Sequence, residues 1–231
     1  MLYSELQCSD AIHKAVERMG FAEMTEIQEK TIPVMMAGYD VIAKAPTGTG
    51  KTCAFGIPVA EHILPENKYP QAVIMAPTRE LAQQIAQELE ELTYFMPEVQ
   101  VACVYGGANM EKQAKRLAEG CQIVVATPGR LMDHYKHHSI DISHVTQIVL
   151  DEADEMLNMG FYKDVRHIIE MMKARKSLSM FSATISRLAV PAQRRGDHRP
   201  AQGRKPAQDH PVYAGDLWPQ QAFRPCTDHH W

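Results

Sequence analysis

The feature that most constrains the fold is a regular alternation between residues 40 and 182, in which short apolar runs are separated by longer stretches of helical periodicity. The stretches 79–93 and 162–173 place apolar side chains along one helical face. Six runs rich in β-branched residues are predicted as strands, at residues 41–44, 72–76, 99–104, 123–126, 148–150 and 178–181. Apolar strands separated by helices are typical of a parallel sheet that is covered on both faces. The sequence therefore predicts an α/β fold with a doubly wound parallel sheet.

A segment suited to ligand contact follows each predicted strand. These segments are residues 47–52, 77–80, 106–107, 127–130, 151–154 and 182–184. Ligands of such sheets bind beyond the carboxyl ends of the strands. We therefore expect all six segments to lie along one edge of the sheet.

The segment after the first strand has the composition of a phosphate-binding loop, Ala45-Pro46-Thr47-Gly48-Thr49-Gly50-Lys51-Thr52. Glycines let the backbone turn its amides toward phosphate oxygens, and a helix that begins near Lys51 points its positive end at the same anion. Lys51 is placed to reach the outer phosphates, and Thr52 to ligate Mg²⁺. The pattern departs from the usual signature at Ala45, where glycine is usual. The alternative is a glycine-rich turn with a surface lysine.

Two carboxylates end the buried run at residues 148–150. Hydrolysis of a nucleotide requires one group to hold the metal ion and another to orient or deprotonate the attacking water. Asp151 suits the first role and Glu152 the second. An acidic pair that caps a helix is the alternative, because acidic side chains favour helix N-termini.

Composition limits the classes of protein to which this chain can belong. No apolar run is long enough to cross a membrane, and the N-terminus lacks the pattern of an export signal, so we expect a cytoplasmic protein. The five cysteines are scattered singly and are interpreted as reduced thiols. His134, His137 and His138 are interpreted as a solvated helix end rather than a metal site.

Charge is divided unevenly along the chain, whose net charge is −4. Residues 187–231 hold seven Lys or Arg against four Asp, so the first 186 residues carry −7. An acidic domain does not attract nucleic acid by its overall field. Any nucleic-acid binding must therefore come from locally placed groups.

Residues 1–186 resemble the N-terminal RecA-like domain of DEAD-box RNA helicases, a P-loop NTPase domain. The resemblance rests on seven motifs in family order: Gly20-Phe21 with Thr25-Glu26-Ile27-Gln28, Ala45 to Thr52, Pro77-Thr78-Arg79-Glu80-Leu81, Gly106-Gly107, Thr127-Pro128-Gly129-Arg130, Asp151-Glu152-Ala153-Asp154 and Ser182-Ala183-Thr184. It implies an ATP hydrolase and RNA helicase that uses ATP and Mg²⁺ and contacts RNA through its backbone. No obligate protein partner is evident.

The resemblance assigns the adenine site to the first of these motifs. Gln28 would contact the adenine edge with Thr25 beside it, and Phe21 would pack on the base. The pattern Thr25-x-x-Gln28 is also a helix capping box, and both interpretations can hold together. Met24 stands where the family usually has proline. The loss of this rigid turn residue is expected to loosen the loop but to leave the polar contacts available.

The same resemblance assigns RNA contacts to Pro77, Thr78 and Arg79, to Gly106 and Gly107, and to Thr127, Pro128, Gly129 and Arg130. Ordinary helix initiation is the alternative for the threonines and Pro128. Ser182 and Thr184 would hydrogen-bond to the Asp154 region and couple the nucleotide state to RNA strand separation. On composition alone this triplet is an ordinary turn.

The resemblance ends near residue 186. Six of the fourteen prolines fall in residues 187–231, and no stretch there has a period long enough to bury a face, so we expect this tail to be poorly ordered. The family continues into one more helix and strand and a second RecA-like domain with an arginine-rich motif; Arg194 to Arg199 lack its spacing. We interpret the domain as incomplete at its C-terminal end and the tail as a frameshifted product of a longer gene.

The expected activity of this chain is correspondingly limited. Arginine fingers contribute roughly 10³ to 10⁵ in rate in related enzymes, so hydrolysis without one is expected near background. Unwinding requires two domains that close around ATP and RNA. A non-catalytic ATP- or RNA-binding module is the alternative function, and a DNA translocase is disfavoured by Phe21, Gln28 and Asp154.

Overall fold

The computed structural model describes residues 1–46 and 48–184, together with the backbone of residues 212–214. Every strand pair in these residues is parallel. The strands are β1 Val41–Lys44, β2 Ala72–Met75, β3 Val101–Val104, β4 Ile123–Ala126, β5 Gln147–Asp151, β6 Ser177–Ser182 and β7 Val212–Ala214. They form one sheet in the order β3-β4-β2-β5-β6-β1-β7. The predicted parallel α/β sheet is confirmed.

Strand boundaries differ from the prediction in four strands, and β2 ends at Met75, one residue earlier than predicted. β3 begins at Val101 because the Val99 N–H donates to the Met96 carbonyl in a turn, and the Gln100 N–H donates to the Gln122 side chain. β5 and β6 are each one residue longer at both ends, so that their carboxyl ends include Asp151 and Ser182. Both side chains are thereby held by the sheet itself rather than by the loops that follow.

Helices connect successive strands from β1 to β6. The helices are α1 Asp10–Arg18, α2 Glu26–Met36, α3 Lys51–Glu61, α4 Arg79–Leu92, α5 Met110–Ala118, α6 Pro128–Lys136, α7 Ala153–Asn158 and α8 Tyr162–Met171, with a 3₁₀ turn at Tyr3–Glu5. The two helices predicted from periodicity correspond to α4 and α8. Side-chain caps fix several starts: Ser9 accepts from the Ile12 N–H before α1, and Asn109 accepts from the Lys112 N–H before α5.

The core has two layers because successive side chains of each strand point to opposite faces of the sheet. On one face, Val73 and Met75 of β2 pack with α5, α6, α7 and α8. On the other face, Ala72 and Ile74 of the same strand pack with α2, α3 and α4. Phe55 of α3 meets Phe181 of β6 with ring centroids 5.3 Å apart. The doubly wound arrangement is confirmed by this division.

The N-terminal segment forms a third apolar cluster against the outer side of α3. Tyr3, Ile12 and Met24 pack there with Cys53 and Ile57 of α3. The Met24 N–H also donates to the Met1 carbonyl. Met24 is therefore a buried anchor that fixes the start of α2 beside the phosphate loop.

The segment at residues 187–231 lies outside the described residues except for Val212–Ala214, whose backbone pairs with β1. This strand was not predicted, because three residues give no measurable periodicity. Among the described residues, no helix is long and apolar enough to cross a membrane.

Candidate nucleotide and RNA site

The loop between β1 and α3 adopts the backbone geometry that phosphate binding requires. Gly48 and Gly50 have φ of 82° and 80°, a region that L side chains rarely adopt. The Thr49 hydroxyl donates to the Pro46 carbonyl at 2.8 Å and closes the loop. The Ala45 N–H, at the start of the loop, donates to the Ser182 carbonyl at 2.9 Å. Thr47 lies outside the described residues.

The N-terminus of α3 faces this loop without a side-chain cap. Gly50 is the N-cap residue, and no acidic side chain stands in the first turn. The first amides of a helix have no partner within the helix, and the helix dipole makes them favourable to anions. An anion is therefore the natural partner of this helix end.

Lys51 and Asp151 form a buried ion pair at the edge of the sheet. Lys51 Nζ lies 3.2 Å from Asp151 Oδ1, and the two side chains are 7% and 3% exposed. Burial raises the pKa of Asp151, while the Lys51 ammonium acts in the opposite direction. Thr52, the next residue of α3, is also buried. The site thus places an ammonium, a carboxylate and a hydroxyl beneath the loop.

Glu152 has an unusual backbone conformation that sequence reasoning did not anticipate. Its φ is 50°, in the left-handed region, where non-glycine residues are uncommon. Its N–H donates to Asp151 Oδ1 at 3.0 Å, and its carboxylate lies 3.9 Å from Lys51 Nζ. Strained backbone of this kind concentrates at functional sites. The turn directs Glu152 back toward the phosphate loop instead of along α7.

Gln28 and Thr25 brace the phosphate loop from the side of α2. The capping box is present, with the Thr25 N–H donating to Gln28 Oε1 at 2.8 Å. Gln28 Nε2 also donates to the Gly50 carbonyl at 3.0 Å, and the Thr25 hydroxyl donates to the Thr49 carbonyl at 2.9 Å. Phe21 is exposed and stacks on Tyr3 with centroids 6.4 Å apart. The loop is therefore tied to the first motif as well as to the sheet.

The segment Pro77-Thr78-Arg79 begins α4 at the same edge. Pro77 is buried, and the Thr78 hydroxyl accepts from the Leu81 N–H at 3.2 Å, so ordinary helix capping holds for this threonine. Arg79 is exposed, and its guanidinium carbon lies 5.0 Å from the Tyr105 ring centroid. Arg79 is thus a surface cation that lies over an aromatic ring.

The Gly106-Gly107 loop is held by the start of α6. Arg130 donates from Nε to the Tyr105 carbonyl and from a terminal nitrogen to the Ala108 carbonyl, both at 3.0 Å. Both glycines are exposed, and Gly107 has φ of 82°.

The other members of this motif shape the start of α6. Pro128 is the first helical residue, followed by the partly buried Gly129. Thr127 precedes them as N-cap but accepts no capping hydrogen bond from the helix, unlike Thr78. Its hydroxyl is therefore not engaged in helix initiation.

Asp154, Ser182 and Thr184 meet across the gap between α7 and β6. Thr184 donates to Asp154 Oδ2 from its N–H at 2.9 Å and from its hydroxyl at 2.7 Å. The Ser182 hydroxyl donates to the Thr184 carbonyl at 2.7 Å. Burial acts to raise the pKa of Asp154, but hydrogen bonds from Thr184 and Ser182 outweigh it and hold that pKa below its usual value.

A second set of polar residues, which was not predicted, lies beneath the Gly106-Gly107 loop. Tyr105, Gln113 and His134 form a connected hydrogen-bonded set. The interpretation of His134 as part of a solvated helix end is wrong, since its side chain is fully buried. The signal available in the sequence was the position of His134 three residues after Leu131, on the apolar face of α6.

Comparison with known proteins decides the family. The model of the DEAD/DEAH box helicase family matches residues 25–190 of the chain. The chain belongs to the DEAD/DEAH box helicase family. An ATP-dependent RNA helicase CshA of Limosilactobacillus reuteri is 49% identical over 185 residues, which are 80% of this chain and 37% of that relative. A DEAD-box ATP-dependent RNA helicase CshA of Geobacillus kaustophilus is 46% identical over 183 residues, 79% of this chain and 39% of the relative.

Solved structures of DEAD-box proteins share the fold. The crystal structure of a DEAD box protein from Methanococcus jannaschii matches with a TM-score of 0.75 and 42% identity, over 81% of this chain and 51% of that one. A hypothetical ATP-dependent RNA helicase from Sulfolobus tokodaii matches with a TM-score of 0.71 and 40% identity, over 78% and 52% of the two chains. This DEAD-box chain therefore spans about half the length of these structures and under two fifths of the two curated relatives.

Proposed function

We propose that the chain is the first core domain of an ATP-dependent RNA helicase, which binds ATP with Mg²⁺ at the phosphate loop and RNA along the same sheet edge. The buried Lys51–Asp151 pair beneath the uncapped start of α3 carries this proposal. The desolvation cost of burying two charges can exceed the energy of their mutual attraction. A phosphate and its metal ion would offset that cost.

The residues present fit a magnesium nucleotide. Mg²⁺ prefers oxygen ligands and is commonly held by one or two side chains together with substrate phosphates. Thr52 and Asp151 would hold the Mg²⁺ ion, partly through water. The positive charge of the ion would neutralise the negative charge that develops on the phosphates. Lys51 would bind the outer phosphates, and Glu152 would orient or deprotonate the attacking water.

The adenine would lie beside α2. Gln28 uses Oε1 and one N–H within the protein, which leaves its second N–H for a base edge. Phe21 offers an exposed ring for packing on the base. Because the same Gln28 amide contacts Gly50, base recognition would stabilise the loop that holds the phosphates.

The RNA would follow the edge formed by Arg79, Gly106, Gly107 and the start of α6. Single-stranded nucleic acid is bound without sequence preference by cations, hydroxyls and amides that contact its backbone. Arg79 offers a cation, Thr127 a hydroxyl without a capping role, and Gly106-Gly107 an exposed backbone. Local groups of this kind are what an acidic domain requires.

For the 231-residue chain by itself we propose nucleotide binding with turnover near background. In the family an arginine from a second domain completes the site, and the contribution of such an arginine is roughly 10³ to 10⁵ in rate. A non-catalytic ATP- or RNA-binding module is the alternative.

Phosphate release from MgATP, with and without an oligouridine RNA, separates the two functions. A low rate above the buffer blank that Glu152→Gln abolishes, while MgADP affinity is retained, assigns catalysis to this chain. A robust rate that RNA stimulates would contradict the proposed turnover near background. A rate of phosphate release equal to that of the buffer blank, in a chain that still binds MgADP, indicates the non-catalytic binding module. Failure of the wild-type chain to bind MgADP contradicts both.

RNA binding is tested by fluorescence anisotropy with labelled oligouridine at low ionic strength. Arg79→Gln should weaken binding, whereas Arg18→Gln, which removes an arginine that lies over Tyr94 far from this edge, should not. Equal affinity for all three proteins would contradict the assignment of this edge to RNA.

A further inference from the structure

Tyr105 lies at the centre of the RNA-facing edge, and no motif in the sequence singles it out. Its ring contacts the Arg79 guanidinium, with the guanidinium carbon 5.0 Å from the ring centroid. Its hydroxyl accepts from Gln83 Nε2 at 2.9 Å. One side chain thus connects two turns of α4 to the end of β3.

The backbone of Tyr105 is equally engaged. Its carbonyl accepts from Arg130 Nε at 3.0 Å and from Gln113 Nε2 at 3.1 Å. Since Gly106 and Gly107 follow directly, these bonds fix the start of the exposed glycine loop, and the bond from Arg130 to Ala108 fixes its end.

A buried chain of polar groups supports this carbonyl from below. Gln113 Oε1 faces His134 Nε2 at 3.1 Å, and His134 Nδ1 faces the Ser139 hydroxyl at 3.0 Å. Gln113 and His134 are both buried. Buried polar groups of this kind favour a single arrangement, because a lost partner leaves a desolvated group unpaired.

We propose that Tyr105 is a positioning residue for RNA binding, which holds the Arg79 guanidinium and the Gly106-Gly107 backbone in the arrangement that RNA phosphates require. The proposal rests on the proposed RNA function of this edge. An arginine side chain has considerable rotamer entropy, and an ordered guanidinium loses less of it on binding. The Tyr105 ring orders the Arg79 guanidinium without itself contacting the RNA.

Tyr105→Leu and Tyr105→Phe separate the ring from the hydroxyl. We expect Tyr105→Leu to weaken oligouridine binding about fivefold, because the cation–π contact that orders Arg79 is lost. The slope of log K against the logarithm of the salt concentration should also become shallower by about 0.7, which is the contribution of one phosphate contact to a single strand. Tyr105→Phe keeps the ring and should retain most of the affinity.

Tyr94→Leu is the matched control, since Tyr94 also carries an arginine, Arg18, over its ring at 3.9 Å. This substitution should change neither RNA affinity nor the salt dependence. In an Arg79→Gln background, Tyr105→Leu should weaken binding much less than it does alone. Non-additivity of this kind distinguishes positioning of Arg79 from a general loss of stability.

A second readout needs no RNA. The Arg79 Nε–H signal of the free chain, measured by ¹H–¹⁵N NMR, should carry a ring-current shift that Tyr105→Phe retains and Tyr105→Leu abolishes. The same Arg79 signal in all three proteins, or unchanged RNA affinity in Tyr105→Leu while the wild type binds, would overturn the proposal. Absence of wild-type RNA binding would instead refute the proposed RNA function, and the role of Tyr105 in it.

Discussion

Lys51 Nζ lies 3.2 Å from Asp151 Oδ1, and both side chains are almost fully buried beneath the phosphate loop. The pair joins the first turn of α3 to the last residue of β5, so the two motifs of the nucleotide site are held at a fixed separation by the sheet. Removal of Lys51 leaves the buried Asp151 carboxylate without its ammonium partner.

Lys51→Met should lower the free energy of unfolding by about 3 kcal/mol at pH 7.5, a typical cost of breaking a buried pair. Asp151→Asn in the same chain should restore much of the loss. Burial already raises the pKa of Asp151, so stability falls as pH rises through that folded pKa. The penalty of Lys51→Met should therefore be smaller at pH 4.5 than at pH 7.5 in urea unfolding; a penalty independent of pH and of Asp151→Asn would contradict this account.

The two loop glycines differ in what a methyl group would meet. A Cβ at Gly50 would lie 2.4 Å from Gln28 Nε2, whereas a Cβ at Gly48 would have nothing within 4 Å. Both residues have positive φ, so each alanine costs roughly 1 kcal/mol of backbone strain. Gly50→Ala should cost about 1 kcal/mol more than Gly48→Ala, because Gln28 loses hydrogen bonds. Thermal unfolding compares them, and equal losses would count against the bracing role of Gln28.

The contact between Thr184 and Asp154 predicts that a substitution of Thr184 changes the pKa of Asp154. Thr184→Val removes the hydroxyl that donates to Asp154 Oδ2 at 2.7 Å, so the pKa of Asp154 should rise toward its usual value. The pKa is measured by ¹³C NMR of the carboxyl carbon. Asp141, whose pKa is lowered by hydrogen bonds from Ser143, is an internal reference that should not move. An unchanged Asp154 titration would show that the hydroxyl contributes nothing to this link.

His134 predicts a pH dependence of stability. Burial, together with the nearby Arg130 charge, lowers the pKa of His134 from its usual 6.5. Below pH 6.5, His134 of the unfolded chain binds a proton, whereas His134 of the folded chain stays neutral. The folded state therefore loses stability as the pH falls from about 6.5 toward the pKa of His134 in the folded chain. His134→Gln should flatten the curve of unfolding temperature against pH in this window. His167→Gln, at an exposed position, is the control and should reproduce the wild-type curve.

Periodicity and motif order predicted the sheet because both are local properties of the sequence. The runs around Val73 and Val124 alternate with helical stretches, and this pattern predicts the parallel pairing of the strands. The contact of Gln28 with Gly50, in contrast, joins residues 22 positions apart through a backbone carbonyl, which leaves no signature in residue types.

The remaining differences have the same origin. The left-handed conformation of Glu152 is imposed by tertiary contacts, because the residue type does not favour it. Tyr105 and His134 lie in ordinary apolar patterns, and only the packing of α5 and α6 under β3 connects them through Gln113. Residue types predicted candidate ligand-binding segments, but not which side chains hold those segments in place.

Thermal unfolding of the 231-residue chain with and without MgADP tests the central claim most directly. A ligand at 100 times its Kd stabilises the folded state by about 2.7 kcal/mol, so saturating MgADP should raise the unfolding temperature of the wild type. Lys44→Ala, which removes an exposed lysine at the end of β1, should respond as the wild type does, and Lys51→Ala should show no response. No shift in the wild type, or the same shift in Lys51→Ala, would contradict the assignment of this loop to a nucleotide.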